Sequence, residues 1–339
     1  MTLDPSGDLR VRDLSEEELL ARVFPELPLG GATQVPPGDD AAVVAAPDGR
    51  FVVTTDVLVE DRHFRRRWST GRDVGRRAAV QNLADVAAMG ARPTSVVVAL
   101  VVPGDVPVTW VVDLARGLGD VCAPLGAGVV GGDLSSGPVL VVSVAAHGDL
   151  EGRAPVLRSG ARPGDILAHA GARGRSAAGL ALLEAGRVSS RGDGQASDAD
   201  LVAAYLSPAA PLDAGPRAAA AGATAMIDVS DGLLRDAERL ARASGVALDL
   251  DAPATAFGAD LDRLAAAAAS LGMSAEGWVL AGGEDHGLLA TFPAGAELPA
   301  PFRPVGRVRV AGDDTGRPGT VLVGGRRWDG ATGWDHFDR

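Results

Sequence analysis

The chain contains no lysine: all 32 of its basic residues are arginine. That absence removes whole chemistries. No Walker A lysine can reach a β- or γ-phosphate, no protein-kinase strand lysine can pair with one, and no Schiff base can form on a side chain. A chain of this composition that handles nucleotide phosphates must use metal ions, backbone N–H groups and arginine. Richness in Ala, Gly and Arg accounts for the missing lysine by composition alone, but the chemical exclusion holds whatever its cause. Cysteine is nearly absent as well, with Cys122 standing alone. One thiol makes no intramolecular disulfide, no Cys/His spacing matches a zinc site, and a reducing cytoplasm is the expected compartment. Long apolar runs are also lacking: the longest, Val96 to Val102, has strand length, and Met1 to Leu20 carries charges throughout. Neither a signal peptide nor a membrane span is predicted. A net charge of −12 leaves no basic face for nucleic acid.

What is present describes a globular chain of 339 residues, 46% hydrophobic and 22% charged, long enough for two domains. Ser15 followed by Glu18 has capping-box spacing ahead of a helix over Ser15 to Phe24. Extended runs follow at Ala41 to Ala45 and Phe51 to Asp56, then a helix over Asp73 to Met89, a strand over Thr94 to Val102, a helix over Val108 to Val121, and strands at Gly128 to Gly131 and Val139 to His147. The Gly-, Arg- and Pro-rich stretch from Gly148 to Asp165 is the expected junction, dividing residues 1–150 from 151–339. The second half repeats the alternation, with a strand over Ala223 to Val229 and a helix over Leu233 to Ser244 among its elements. Its polar, aperiodic segment Arg187 to Asp200 reads as a loop. The expected fold class is α/β or α+β.

Six acidic segments share one context, beside glycine or a small residue at the edge of an apolar strand, with no adjacent arginine. They are Gly38-Asp39-Asp40, Thr54-Thr55-Asp56, Asn82-Leu83-Ala84-Asp85, Gly131-Gly132-Asp133, Asp228-Val229-Ser230-Asp231-Gly232 and Gly282-Gly283-Glu284-Asp285. Strand ends are where α/β proteins collect functional groups, and glycine admits a ligand close to the backbone. Gathered carboxylates repel: two unit charges ~4 Å apart interact by roughly 4 kcal/mol at an effective dielectric near 20. Oxygen ligands without Cys or His select Mg²⁺, Ca²⁺ or Mn²⁺, and no segment has EF-hand order, which favours Mg²⁺ held together with substrate phosphates. Each segment alone has a plainer reading. Asp39-Asp40 makes a good turn, Ser230 and Asp231 suit a helix cap, and Asn82 with Asp85 suits one polar face of a helix.

The ordered set resembles the thiamine-monophosphate kinase family. Pro-Gly-Asp-Asp at 37–40, Thr-Thr-Asp at 54–56, His63-Phe64, Asn-Leu-Ala-Asp-Val-Ala-Ala-Met-Gly-Ala at 82–91, Gly-Gly-Asp at 131–133, Arg158-Ser159-Gly160, Ile-Asp-Val-Ser-Asp-Gly-Leu at 227–233, Gly-Gly-Glu-Asp at 282–285 and Gly-Trp-Asp-His-Phe at 333–337 carry the resemblance. It departs at Pro37, where an aliphatic residue is common, and at His286, where tyrosine is usual. The resemblance implies the fold of the aminoimidazole ribonucleotide synthetase (PurM-like) superfamily, with an N-terminal sheet that pairs in a homodimer barrel and a C-terminal α/β domain. It implies ATP as co-substrate, thiamine monophosphate as acceptor, and several Mg²⁺ ions, with Mn²⁺ as a substitute. By carry-over, Asp40, Thr54, Thr55, Asp56, Asp85, Asp133, Asp228 and Asp231 hold metal. Gly132, Asp133, Arg158 and Ser230 contact ATP, while His63, Glu284 and Trp334 line the thiamine phosphate site. For Trp334 the plainer reading is a packed tail aromatic.

Phosphoryl transfer to a phosphate monoester fits this inventory, because the acceptor oxygen is already anionic and needs no general base. A rival within the superfamily is aminoimidazole ribonucleotide synthetase; selenophosphate synthetase would need a reactive Cys or selenocysteine with a nearby Lys. A rival of another class is a non-catalytic, metal-dependent nucleotide sensor.

Overall fold

Ser15 begins the first helix as its spacing predicts: its Oγ accepts from the Glu18 N–H at 3.2 Å, and Glu18 Oε2 accepts from the Ser15 N–H at 2.8 Å. The structure, a computed structural model, describes residues 9–36, 42–188, 196–312 and 315–334. The chain divides into two units, Met1–Val86 with Arg92–Gly152, and Ala87–Ala91 with Arg153–Arg339. A linear division near 150 does not anticipate the excursion of Ala87–Ala91 into the second unit.

The first unit contains α1 (Glu16–Val23), β1 (Thr33–Val35), β2 (Val43–Val44), β3 (Val52–Val59), α2 (Gly71–Ala88, whose last two residues group with the second unit), β4 (Arg92–Val102), α3 (Val108–Cys122), β5 (Gly128–Ser136) and β6 (Val141–Asp149). Four of its strands form a sheet in the order β3-β6-β4-β5, in which β6 is antiparallel to both neighbours and β4 is parallel to β5. Helices α2 and α3 meet through glycine: a Cβ on Gly75 would stand 2.1 Å from the Leu114 carbonyl oxygen, and one on Gly117 2.2 Å from that of Arg72. Val74, Ala78, Leu83, Val111, Leu114 and Leu118 on these helices are buried. Burying aliphatic side chains of this kind contributes about 1.5–3 kcal/mol each.

The second unit continues with β7 (Ile166–Ala170), α4 (Arg175–Glu184), α5 (Ala196–Leu206), α6 (Ala214–Ala220), β8 (Ala225–Val229), α7 (Leu233–Ser244), β9 (Ala247–Leu250), α8 (Pro253–Ala256), α9 (Gly258–Leu271), α10 (Ala275–Ala281), β10 (Gly287–Phe292), β11 (Arg303–Arg309), β12 (Val321–Val323) and β13 (Arg326–Arg327). Its seven strands lie in the order β13-β12-β9-β11-β7-β10-β8, antiparallel except where β12 meets β9. Met226, Leu288, Phe292 and Phe302 build one core cluster with Ala87 and Ala88, and the two phenyl rings meet edge-on at 5.5 Å.

Part of the segment expected as a loop over Arg187 to Asp200 is helical, because α5 starts at Ala196. Leu201, Val202, Tyr205 and Leu206 form its buried stripe, and Gly179 on α4 admits the Leu201 carbonyl at close range. The apolar face thus begins only after the polar stretch, which masks the helix start in the sequence. Residues 189–195 lie outside the described residues. Among the described residues no single helix is long and apolar enough to cross a membrane.

Candidate active site

In the first unit, alternation along β3 separates the Thr-Thr-Asp triplet. Thr54 Oγ1 donates to Asp85 Oδ2 on α2 at 2.8 Å, and the Asp56 N–H donates to Asn82 Oδ1 at 2.8 Å. Asn82 is buried and donates its own amide to the Ala78 carbonyl, so it fastens β3 to α2 from one side. Thr55 points to the other face of the sheet and donates to the Val144 carbonyl at 2.8 Å. Asp133 lies on that same face, as the register Val57–Ser143–Ala99–Asp133 across the four strands requires. Its carboxylate is exposed and accepts from Ser135 Oγ at 3.2 Å. Gly132 is explained by packing: a Cβ there would lie 1.9 Å from the Val98 carbonyl oxygen. His63 follows β3 in a tight turn and accepts from the Val59 N–H through Nδ1 at 3.0 Å, which aims Nε2 away from the strand. Beside Gly132 and Asp133 opens a cavity of about 820 Å³, lined by apolar residues of α1, α3, β4 and β5 with His147. Asp40 lies outside the described residues.

In the second unit the acidic motifs meet where β8 ends and β10 begins, with Leu288 opposite Asp228 in the antiparallel register. The Glu284 N–H donates to the Ser230 carbonyl at 2.7 Å. Glu284 and His286 both sit in the left-handed region, at φ 70° and 51°, which non-glycine residues seldom adopt. The loop is held there by its neighbours. Asp285 accepts from the Gly174 and Ser176 N–H groups at 2.5 and 2.9 Å, tying it to the start of α4, while Ser176 Oγ donates to the Glu284 carbonyl at 2.8 Å. Arg173, fully buried, donates to the Gly282 carbonyl at 2.6 Å and the Val279 carbonyl at 3.2 Å. The clamp leaves the Glu284 side chain 38% exposed.

Ser230 and Asp231 do not cap α7, whose N-cap position is Gly232. Instead the Asp231 N–H donates to Asp236 Oδ2 at 3.0 Å, and Arg239 Nη1 stands 2.7 Å from both Asp231 Oδ2 and Asp236 Oδ1. The segment has no adjacent arginine in sequence, yet the fold brings Arg239 to Asp231 from two helical turns later. Burial pushes the Asp236 carboxyl up to about 7, with the nearby Asp228 charge adding to the shift. His286, fully buried, lies 3.9 Å from Asp228 Oδ2 and 3.7 Å from Glu284 Oε2. Burial opposes its charge, but the two carboxylates outweigh it and raise the imidazole to about 10. Trp334 joins the same end through its backbone N–H, which donates to the Asp231 carbonyl at 2.8 Å, while its side chain is 62% exposed. The expectation of a packed tail aromatic is not what this exposure describes.

The donor set of both units is oxygen, which suits a hard divalent cation. Around Asp228, Asp231, Asp236 and Glu284 the chain sets the Arg239 guanidinium against Asp231 and Asp236, and the His286 ring near Asp228 and Glu284. Among the described residues no three acidic, His or Cys side chains already converge as a metal cage. Mg²⁺ commonly accepts that arrangement, since it keeps waters and takes substrate phosphates as further ligands.

Residues 38–150 match the family model of the AIR synthase related protein N-terminal domain, and residues 162–294 match that of its C-terminal domain. The thiamine-monophosphate kinase of Mycobacterium tuberculosis (strain CDC 1551 / Oshkosh) is 51% identical over 301 residues, spanning 89% of this chain and 85% of the relative. The chain belongs to the thiamine-monophosphate kinase family. Its fold agrees: the crystal structure of thiamine-monophosphate kinase from Stenotrophomonas maltophilia K279a superposes with a TM-score of 0.76 at 28% identity, covering 91% of this chain and 95% of the other. The structure described as AaThiL complexed with AMPPCP and TMP superposes with a TM-score of 0.74 at 30% identity, covering 97% of this chain and 99% of that one.

Within this thiamine-monophosphate kinase family member, the backbone of Arg158, an expected ATP contact, packs at the end of β8 away from Ser230. The Arg158 carbonyl accepts from Ser244 Oγ at the C-terminal end of α7, and its neighbour Leu157 accepts from the Met226 N–H near the start of β8. Ser230 is four residues further along, about 13 Å at strand rise. Sequence reasoning missed Arg173, Asp236 and Arg239 as organisers of the site. Their partners are set by the tertiary fold, and only the helical spacing of Asp236 and Arg239 left a local trace.

Proposed function

We propose that this chain transfers the γ-phosphoryl group of ATP to thiamine monophosphate, giving thiamine diphosphate and ADP, with bound Mg²⁺ and without a general base. The observation that carries the reading is the ring of oxygen donors at the β8–β10 end, built around Asp228, Asp231 and Glu284 in a chain without lysine. Membership of a family whose relative is 51% identical points the same way. In the first unit Thr54, Thr55, Asp56, Asp85 and Asp133, with Asp40, would hold Mg²⁺, and in the second unit Asp228 and Asp231 would. Bound there, it would supply charge neutralisation between two polyanions. The apolar cavity beside Gly132 and Asp133 has the size of a small-molecule site and suits the nucleoside of ATP. His63 offers Nε2, and Glu284 an exposed carboxylate, to the acceptor. Trp334 offers an indole face to the cationic thiazolium, a contact contributing about 0.5–2 kcal/mol.

The chain works as a homodimer on this reading, with the face of β3 that carries Val53 and Val57 covered by a second copy. Both are large apolar residues exposed on one sheet face. A cytoplasmic setting suits the single thiol, Cys122, which is buried and pushed up to about 12 by that burial.

ADP release measured with thiamine monophosphate, with free thiamine and with no acceptor tests the reaction. The monophosphate should be needed for turnover, and exhaustive chelation should abolish it. ADP release that ignores the acceptor, or activity that survives chelation, would overturn the assignment.

A further inference from the structure

Arg239 holds two acids with one nitrogen. Its Nη1 lies 2.7 Å from Asp231 Oδ2 and 2.7 Å from Asp236 Oδ1, the geometry of a single positive centre bridging two carboxylates. The acids are fixed and shielded: Asp236 is 1% exposed, Asp231 18%, and the Asp231 N–H donates to Asp236 Oδ2 independently of the arginine. The cation is on the open side, 38% exposed, at the end of a side chain with four torsions. Its partners among the described residues are these two carboxylates, with no backbone carbonyl anchoring the guanidinium.

We propose that Arg239 is a resident counter-ion, occupying the cation position at Asp231 in the metal-free chain and displaced when a divalent cation binds there. This rests on the reading of Asp231 as a metal ligand. Mg²⁺ binds oxygen at about 2.0–2.1 Å, so an ion on Asp231 Oδ2 would stand within a few ångströms of the guanidinium. Two cations that close on one oxygen repel, and the exposed one yields. Arg239 then has two effects of opposite sign. It stabilises the empty chain by neutralising buried acids, and it weakens divalent binding by competing for them. An arginine that merely supported the fold would help both states. The competition also sets the metal concentration at which the site fills.

The test uses the full chain without nucleotide and reads Mn²⁺ binding by calorimetry, alongside thermal midpoints with and without Mn²⁺. R239Q should lower the metal-free midpoint and bind Mn²⁺ at least about fivefold tighter, the low end of a coupling between two sites. Saturating Mn²⁺ should close most of the midpoint gap to wild type. R239K, a point charge without the planar fork, should fall between the two. Unchanged or weaker Mn²⁺ binding by R239Q overturns the proposal. Should R239Q fail to fold, R239K decides by the same criterion. D231N separates the two levels of inference: Mn²⁺ binding unaltered by D231N removes Asp231 as a ligand and both readings with it. Binding weakened by both D231N and R239Q keeps the metal site and overturns the counter-ion alone.

Discussion

At the scale of single residues, the acidic side chains differ in what surrounds them, and the difference directs the experiments. Asp133 is exposed on the sheet face that also carries Thr55, with one serine hydroxyl as its hydrogen-bond donor. Asp133→Asn keeps shape and hydrogen bonding while removing charge, so the fold should be retained and kcat should fall by at least ~10²-fold, since charge stabilisation at a phosphoryl centre is worth several kcal/mol. Steady-state rates beside a thermal melt decide this, and a near-wild-type rate would place the cation elsewhere. Trp334 is a different case. Its backbone is anchored to Asp231 while the residue is largely exposed, so the ring is not part of the core. Stacking on a cationic ring is equally strong in ground and transition states, and Trp334→Ala should therefore raise KM for thiamine monophosphate more than it lowers kcat. A mutant that loses only kcat would remove Trp334 from the acceptor pocket.

At the scale of elements, the 282–286 loop shows how a short acidic motif divides its labour. Glu284 faces outward, whereas Asp285 turns in to cap α4 and face the buried Arg173 at 3.5 Å. Burial raises the Asp285 carboxyl, with Arg173 and the two N–H groups acting against that shift. Asp285→Ala would remove the carboxylate that faces a buried guanidinium and leave two backbone donors unpaired. It should destabilise the protein by about 3 kcal/mol or more, read as a lower urea midpoint, and an unchanged midpoint would show that the clamp is dispensable. Much at this scale was legible in the sequence. The Ser15–Glu18 capping box forms, α7 has the bounds its pattern predicts, and the acidic segments at 228–231 and 282–285 come together at one sheet end. These features are written locally, in spacing and periodicity. The left-handed backbone at Glu284 and His286 was not legible, because it is imposed by Arg173 and Ser176, more than a hundred residues away in the chain. The division of Thr54 and Thr55 between sheet faces follows from strand alternation, but which side packs on α2 was not legible, because that partner is set by the tertiary fold.

At the scale of the molecule, the four-stranded sheet of the first unit is unevenly covered. Val53 and Val57 are 59% and 43% exposed on β3, while Leu58 on the opposite face is buried. An apolar sheet face of this kind favours a partner surface. Light scattering at micromolar concentration should give a homodimer mass, and Val53→Glu should shift it toward monomer; a monomer mass for the unaltered chain would count against the assembly. The second unit has its own dependence, which is written into the path of the backbone. Ala87 and Ala88 fill its hydrophobic cluster, and the Met89 carbonyl accepts from the Val156 N–H, so five residues from the first half of the gene are part of the second unit's interior. A recombinant piece beginning at Arg153 would be born with a hole where that helix end belongs. Expressed alone it should be insoluble, and adding a synthetic peptide covering residues 71–91 should bring it into solution.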